Sequence, residues 1–390
     1  MPTLSASTPG WDQMASALLA GSVALLVLGL QPILLGELVA QQAATMEGVG
    51  MIAMGEIMAL GIGVALSDSM APLRHYRRIA MLAAIAAALL DAATCRVSGD
   101  APLLTVRALA GVAEGILVWV ATGMIVRGSK PDRLAASFVV TQTLTQAGAA
   151  AVLALLVIPR WGWQGGFLAL AAMALAALPL MPGLPSSLAP LTVSNTAPLR
   201  WQGAALAPLA ITFAMMAAIG ALWAYLEPLG LSNGLKAAEA QTVVSLSLGF
   251  QVLGGVTAVM TVHRVHAAAT LAGGAVALAL LATAMHFLPW GSVTLFAILS
   301  AAFGYCWLFL MPFQVAQALV ADPRGRIATL VPAAQLVGSA FGPMLASCII
   351  DGDQAGAVPF VSAGFAVLAL CLALPGLRSG AGWHLRQAKP

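Results

Sequence analysis

Charged side chains are scarce in this chain of 390 residues: Asp, Glu, Lys and Arg together make up only 8% of it. An average soluble domain carries roughly 25%. Hydrophobic residues account for 61% of the chain, and its mean hydropathy is +0.95. So few polar side chains cannot cover the surface of a soluble protein of this length. The composition therefore excludes a soluble globule and predicts a polytopic membrane protein.

Side chains that bind metals or act as nucleophiles are also few, with four cysteines and five histidines. The cysteines lie in or at the ends of apolar runs, the histidines lie in loops or the C-terminal tail, and neither set has the spacing of metal ligands. We therefore predict no metal site, no cofactor and no enzymatic activity. The phosphate-binding pattern G-x-x-x-x-G-K-[ST] is missing, which argues against ATP-driven function. The net charge of +3 is spread over short loops, so we expect no nucleic-acid partner.

Long apolar runs are what the sequence has in quantity. A helix that spans a bilayer needs about 20 mostly apolar residues, and 39 glycines suit close packing of such helices. The N-terminal tail lacks a basic segment, so we expect no cleaved signal peptide. The predicted fold class is an all-α membrane protein with twelve transmembrane helices. Their predicted ranges are 14–35, 48–66, 79–97, 102–126, 134–158, 164–182, 203–226, 237–260, 267–287, 291–320, 327–350 and 357–377.

The distribution of Lys and Arg among the short loops predicts the orientation of the chain, because cytoplasmic loops carry an excess of these residues. With both termini in the cytoplasm, only Arg96, Arg160 and Lys236 fall outside, while Arg107 lies within a span. The predicted cytoplasmic residues are Arg74, Arg77, Arg78, Arg127, Lys130, Arg133, Arg200, Arg264, Arg324, Arg326, Arg378, Arg386 and Lys389. We therefore predict that both termini are cytoplasmic.

The longest polar connection, "GLPSSLAPLTVSNTAPLRWQ", follows the sixth span and divides the chain into two parts. It predicts an N-terminal six-helix bundle at 1–182, a central cytoplasmic loop at 183–202, and a C-terminal six-helix bundle at 203–390 that ends in a short cytoplasmic tail. "KPDRLAASFVVTQ" (130–142) and "DPRGRIATLVPAAQ" (322–335) each place a Gln nine residues after an Arg. Because they precede equivalent spans of the two bundles, they favour an internal duplication.

Four ionisable residues lie inside predicted spans: Glu56, Asp91, Arg107 and Glu114. Each costs roughly 2.5–3.5 kcal/mol at bilayer depth, so each needs a partner or a function. Asp91 and Arg107 lie at similar depth on neighbouring spans. Either they pair, or Arg107 faces a cavity, where it binds an anionic group or tunes Glu56. Arg107 and Glu114 are about 10 Å apart along the helix axis, which predicts no direct pair.

Glu114 is therefore the more isolated acid of span 4. Burial disfavours the charged form of a carboxyl group, as a proton-coupling site requires. Glu114 and Glu56 are the predicted proton-coupling residues, and the alternative for each is a hydrogen-bonded structural acid.

Three short motifs carry a resemblance to a known family. "SDSMAPLRHYRR" (67–78), between spans 2 and 3, contains Asp68 and the pattern Arg74-x-Tyr76-Arg77-Arg78. "RALAGVAEG" (107–115) lies on span 4, and "RWGWQGGF" (160–167) precedes span 6. With twelve spans in two sets of six, the chain resembles the major facilitator superfamily, and bacterial efflux permeases within it.

The resemblance implies roles for further residues. Asp68, Arg74, Arg77 and Arg78 would form a cytoplasmic latch between helix ends. The family's cavity would be lined by polar and aromatic residues of several spans, and these suit a neutral or amphipathic solute. The alternative for each aromatic residue is ordinary helix packing or an interfacial belt. The substrate-binding candidates are Arg107, Gln31, Gln142, Gln146, Trp223, Tyr225, Tyr305, Trp307, Gln314 and Gln335.

The expected function is that of a secondary active transporter, which moves a small organic solute by alternating access and is coupled to protons. Efflux is slightly favoured, and the alternatives are a proton-coupled uptake symporter or an uncoupled facilitator of the same fold. The expected partners are a small-molecule substrate, protons and the lipid bilayer. The expected location is the cell (inner) membrane, as a multi-pass monomer.

Overall fold

The computed structural model describes residues 10–188, 203–322, 326–350 and 355–380, and every regular element within them is a helix. The predicted all-α class is therefore confirmed. Arg200, Arg324, Arg386, Lys389 and most of the predicted loop 183–202 lie outside the described residues. The α-helices are α1 (Trp11–Ala24), α2 (Leu26–Ala40), α3 (Met46–Met70), α4 (Tyr76–Thr94), α5 (Asp100–Ile125), α6 (Pro131–Val152), α7 (Ile158–Ala176), α8 (Gly203–Ala224), α9 (Leu226–Ser232), α10 (Ala237–Thr261), α11 (Ala267–His286), α12 (Val293–Ala321), α13 (Val331–Ser347) and α14 (Val358–Gly380).

Ten stretches of the described chain are long and apolar enough to cross a bilayer, so the chain is a multi-span membrane protein. Nine of them each overlap one predicted span. The tenth, Arg133–Gly183, covers two predicted spans and is interrupted at Gly162, whose φ of 57° lies in the left-handed region that favours glycine. Helix α4, which overlaps the predicted span 79–97, is not among the ten. The number twelve therefore stays a prediction.

The described residues form two compact units. The first holds residues 10–44 and 55–188, which include most of α1 to α7. The second holds residues 45–54 and the described residues from 203 to 380. The predicted boundaries at 182 and 203 stay predictions, because these units define compactness and not the extent of a bundle in the bilayer.

Close contacts at glycine bring α3 and α5 together in the first unit. A Cβ atom at Gly111 would overlap the backbone carbonyl of Glu56, and one at Gly115 would overlap that of Leu60. Small residues allow such backbone approach between helices in a membrane, where apolar burial alone does not drive helices together. This approach places Glu56 directly beside the face of α5 that carries Arg107.

In the second unit, glycines likewise allow the backbones of α8 and α13 to approach each other closely. A Cβ atom at Gly338 would overlap the carbonyl oxygen of Phe213, and one at Gly342 would overlap that of Ala217. Pro343 continues this stretch inside α13 without ending the helix. The G-x-x-x-G-P sequence of α13 is therefore a helix-packing surface.

Candidate functional site

A cluster of four buried ionisable side chains lies inside the first unit. Arg107 of α5 is fully buried, and its guanidinium contacts three carboxyl groups. Nη1 is 2.6 Å from Asp91 Oδ1 of α4, and Nη2 is 3.3 Å from Glu114 Oε1 of α5. Nη2 also donates to Glu56 Oε1 of α3. We call these four residues the buried charge cluster.

The cluster settles two expectations about Arg107. The Asp91–Arg107 pair is confirmed, and Arg107 also contacts Glu56. The alternative that Arg107 faces a cavity stays a prediction. The expectation that Arg107 and Glu114 are too far apart to pair was wrong. The axial distance between their backbones is about 10 Å, but both lie on one face of α5 and an arginine side chain is long enough to cover much of that distance.

Neighbouring side chains close the cluster against its surroundings. The Arg107 guanidinium carbon lies 5.0 Å from the centre of the Phe167 ring of α7, a favourable cation–π distance. Nη1 also lies 3.5 Å from Thr94 Oγ1. Sequence reasoning missed Thr94 and Phe167 as parts of the site. The only sequence signal for Phe167 was its place at the end of the motif "RWGWQGGF". That motif does not specify a contact with α5.

Three polar atoms in or beside the cluster are buried without a hydrogen-bond partner in the described part of the chain. They are Arg107 Nε, Glu114 Oε2 and, on α2, Gln31 Nε2. A buried polar atom without a partner is costly, so such atoms mark places where water, a proton or a ligand is expected. Glu114 keeps one oxygen in contact with Arg107 and the other without a partner.

The other glutamines predicted in the first unit differ from Gln31. Gln146 Nε2 donates to the Leu25 carbonyl at 2.5 Å, at the break between α1 and α2. Its amide therefore satisfies a backbone group that the break exposes, which is a structural role. Gln142 lies one turn earlier on α6 and is partly buried.

The predicted aromatic residues of the second unit fall into separate contacts. Trp223 of α8 packs edge-on against Trp307 of α12 with ring centres 5.2 Å apart. The Tyr305 hydroxyl lies 2.8 Å from Thr257 Oγ1 of α10. Tyr225, between α8 and α9, donates its hydroxyl to the Met46 carbonyl at 3.2 Å. The described contacts thus satisfy both tyrosine hydroxyls within the protein.

Two predicted glutamines of the second unit bond to each other. Gln335 Nε2 of α13 donates to Gln314 Oε1 of α12 at 2.8 Å. Gln314 Nε2 is buried without a partner among the described residues. Trp307 and Gln314 are seven residues apart and therefore lie on one face of α12. This face carries a ring and, about 10 Å further along, a buried amide donor that has no partner in the described part of the chain.

The predicted latch residues lie at the end of α3 and the start of α4. Arg77 Nε donates to the Leu184 carbonyl at 2.6 Å, which ties the loop to the segment after α7. Asp68, Arg74 and Arg78 are exposed, and no ion pair involves Asp68 in the part of the chain described. The contact between this loop and the segment after α7 thus uses a backbone carbonyl, and the latch stays a prediction.

A related loop in the second unit does contain an ion pair. Asp322 Oδ2 is 2.9 Å from Arg326 Nε, four residues on, and this hydrogen bonding raises the pKa of Arg326. Sequence reasoning named Arg326 as a cytoplasmic charge and missed the pair. The four-residue spacing was the signal, since residues at that spacing in a turn or helix approach each other.

Comparison with known proteins supports the fold alone. No protein-family model matches the sequence, and no curated protein sequence is significantly similar to it. Among solved structures, the nucleoside transporter NupG superposes with a TM-score of 0.70 at 13% identity, covering 94% of this chain and 98% of its own. The xylose transporter XylE from E. coli, in a partially occluded inward-open conformation, gives 0.68 at 15% identity, with coverage of 93% and 97%.

Both solved structures have the fold named in the sequence resemblance, and both are membrane transporters, a class that is not enzymatic. The superposition covers nearly the whole length of each chain. This chain therefore has the fold of the major facilitator superfamily.

Proposed function

We propose that this protein is a secondary active transporter that moves a small organic solute across the cell membrane by alternating access, coupled to protons. The observation that carries the proposal is the buried charge cluster inside a fold shared with solute transporters. Ionisable residues at bilayer depth are costly and are kept where ions, protons or substrates pass. The cluster combines three acids with one permanently charged guanidinium.

Within the cluster, Glu114 is proposed as the main proton carrier and Glu56 as its partner. Glu114 has the longest contact with Arg107 and one oxygen without a partner, so its charge is the least compensated. Arg107 is proposed to hold the acids in place. Its contacts with three carboxyl groups favour this role over direct binding of an anionic substrate.

The proposed substrate is a small polar solute that carries ring and hydrogen-bonding groups. NupG is a nucleoside transporter and XylE a xylose transporter, and these two classes are the first to assay. In this chain, Trp307, Gln314 and Gln335 are the favoured substrate-binding residues, because Trp307 and Gln335 are only partly buried and Gln314 Nε2 has no partner among the described residues. Tyr225 and Gln146 are less favoured, since their polar groups bond to the backbone.

The proposed direction is efflux through the cell (inner) membrane, on the resemblance to bacterial efflux permeases. Proton-coupled uptake and uncoupled diffusion are the alternatives. The first would show solute accumulation on the alkaline side of the membrane, and the second would equilibrate solute at a rate that a pH gradient does not change.

The test is transport by the purified protein in liposomes, with and without a pH gradient, for labelled nucleosides and xylose. We expect a transported solute to move faster with the gradient, and Glu114→Gln to abolish this acceleration. Glu47→Gln is the matched control, because Glu47 is exposed at the start of α3 and should leave gradient-driven transport intact. Gradient-driven transport that survives in Glu114→Gln would contradict the assignment of the carrier.

A further inference from the structure

The buried charge cluster carries more negative than positive groups. Three carboxyl groups face one guanidinium, and none of the four side chains is more than 6% exposed. With every group ionised, the cluster would have a charge of −2. No second base contacts it in the described residues, where Arg107 is the cation in all three of its ion pairs. An uncompensated charge in apolar surroundings is strongly unfavourable.

The elements packed around the cluster do not supply the missing positive charge. Helix α7 contributes the Phe167 ring, and α2 contributes the neutral Gln31 beside Glu56. Directly after α4, the Cys95 thiol donates to the Gln164 carbonyl and is no source of positive charge. Arg96, which follows it, is exposed. With no further positive side chain beside the cluster in the described part of the chain, protons on the carboxyl groups are the source of neutrality that we consider next.

The distances around the guanidinium indicate where these protons reside. Asp91 has Nη1 largely to itself at 2.6 Å, while Glu56 and Glu114 share Nη2. Glu114 is the more distant of the two at 3.3 Å, and its Oε2 has no partner in the described chain. Glu114 therefore takes a proton first. Asp91 and Glu56 then remain beside one positive charge, which balances only one of them.

We infer that the buried charge cluster holds two protons in this conformation, one on Glu114 and one distributed between Asp91 and Glu56, which lie on the two Nη atoms of Arg107. The inference deepens the proposed function, since a coupled carrier with this cluster has two protons available for each transport cycle. The protonation itself does not depend on transport. It follows from the number of acids, their burial and the single guanidinium.

The test is infrared spectroscopy of the full-length protein in lipid nanodiscs at neutral pH without substrate, in the carbonyl-stretch band of protonated carboxylic acids. Exposed acids are ionised at this pH and contribute nothing to the band. Glu37 and Glu227 are buried outside the cluster, so both are replaced by Gln in the reference protein and in every variant. We expect Glu114→Gln, Glu56→Gln and Asp91→Asn each to remove half of the band of this reference protein. In Glu56→Gln, Asp91 alone balances Arg107 and is ionised. In Asp91→Asn, Glu56 takes that place, and in both variants only Glu114 stays protonated. The double variant Glu56→Gln/Glu114→Gln should remove the whole band.

Glu47→Gln, on the same helix as Glu56 but exposed, should leave the band unchanged. Loss of the whole band in one single variant would mean one proton and would overturn the inference. The absence of any band in the wild-type protein would also overturn the inference. This measurement does not require any variant to fold. A sodium-dependent loss of the band would show that a metal cation supplies the charge instead. The band is measured in the absence of transport. A protein that shows the band but whose transport does not respond to a pH gradient would therefore contradict only the proposed function.

Discussion

Arg107 is the residue on which the buried charge cluster depends. Removing one partner of a buried ion pair leaves the other charge uncompensated, which costs far more than the pair itself contributes. Here a single change would leave three carboxyl groups without their cation. The same charges would be neutral or solvated in the unfolded chain, so the effect should depend on pH.

Arg107→Met keeps much of the side-chain volume and removes the charge. We expect it to lower the free energy of unfolding by roughly 3–5 kcal/mol near neutral pH. The folded variant must keep its three buried acids protonated while the unfolded chain releases those protons, so the folded state binds more protons and the deficit shrinks as the pH falls. Thermal unfolding in detergent across a pH series measures this. Arg96→Met, which removes an exposed arginine, is the control, and equal stability of both variants at alkaline pH would contradict the role of Arg107.

At the scale of elements, glycine positions decide how close two helices approach. Helix α5 contacts α3 through Gly111 and Gly115, and the contact at Gly111 lies beside the backbone of Glu56. The geometry of the buried charge cluster therefore depends on the absence of a side chain at Gly111. Other helical glycines have open space around them, and at Gly148 of α6 no atom lies within 4 Å of the position that a Cβ atom would take.

We expect Gly111→Ala to destabilise the protein by about 1–3 kcal/mol, because the new methyl group overlaps the Glu56 carbonyl and forces α3 away. Gly148→Ala is the matched control and should be neutral or stabilising by up to about 1 kcal/mol, since alanine favours the helix. Thermal unfolding of the two variants side by side measures the difference. Gly111→Ala behaving like Gly148→Ala would show that α3 and α5 do not pack through this glycine.

The sequence predicted the cluster's members better than their arrangement. The cost of burying a charge identified Glu56, Asp91, Arg107 and Glu114 without a structure. It could not predict that one guanidinium contacts all three acids, because that depends on the conformation of a long side chain and on the approach of α3 at Gly111. The hydroxyl of Tyr225 illustrates the same limit: the family resemblance implied a substrate contact, whereas its bond to the Met46 carbonyl depends on tertiary packing.

For the whole molecule, composition and long apolar runs were sufficient to predict the all-α membrane class. A helix in lipid must satisfy its own backbone, so length and hydropathy nearly determine which segments become helices. Helix α4 shows where this reasoning weakens, because Arg77, Arg78 and Asp91 place three charged side chains within its 19 residues. Orientation rests on a different physical rule, the retention of Lys and Arg in the cytoplasm. It remains a prediction that a direct measurement can decide.

The loops at the two ends of α5 offer a matched pair of positions for that measurement. Ser98 and Ser129 are both exposed in short connections, the first before α5 and the second after it. In a variant whose four native cysteines are replaced, we expect Ser98→Cys to react with a membrane-impermeant maleimide on intact cells. Ser129→Cys, flanked by Arg127 and Lys130, should react only after the cells are permeabilised, because positive loops are retained inside. The reverse pattern would invert the predicted orientation, and labelling of both in intact cells would show that α5 does not cross the membrane.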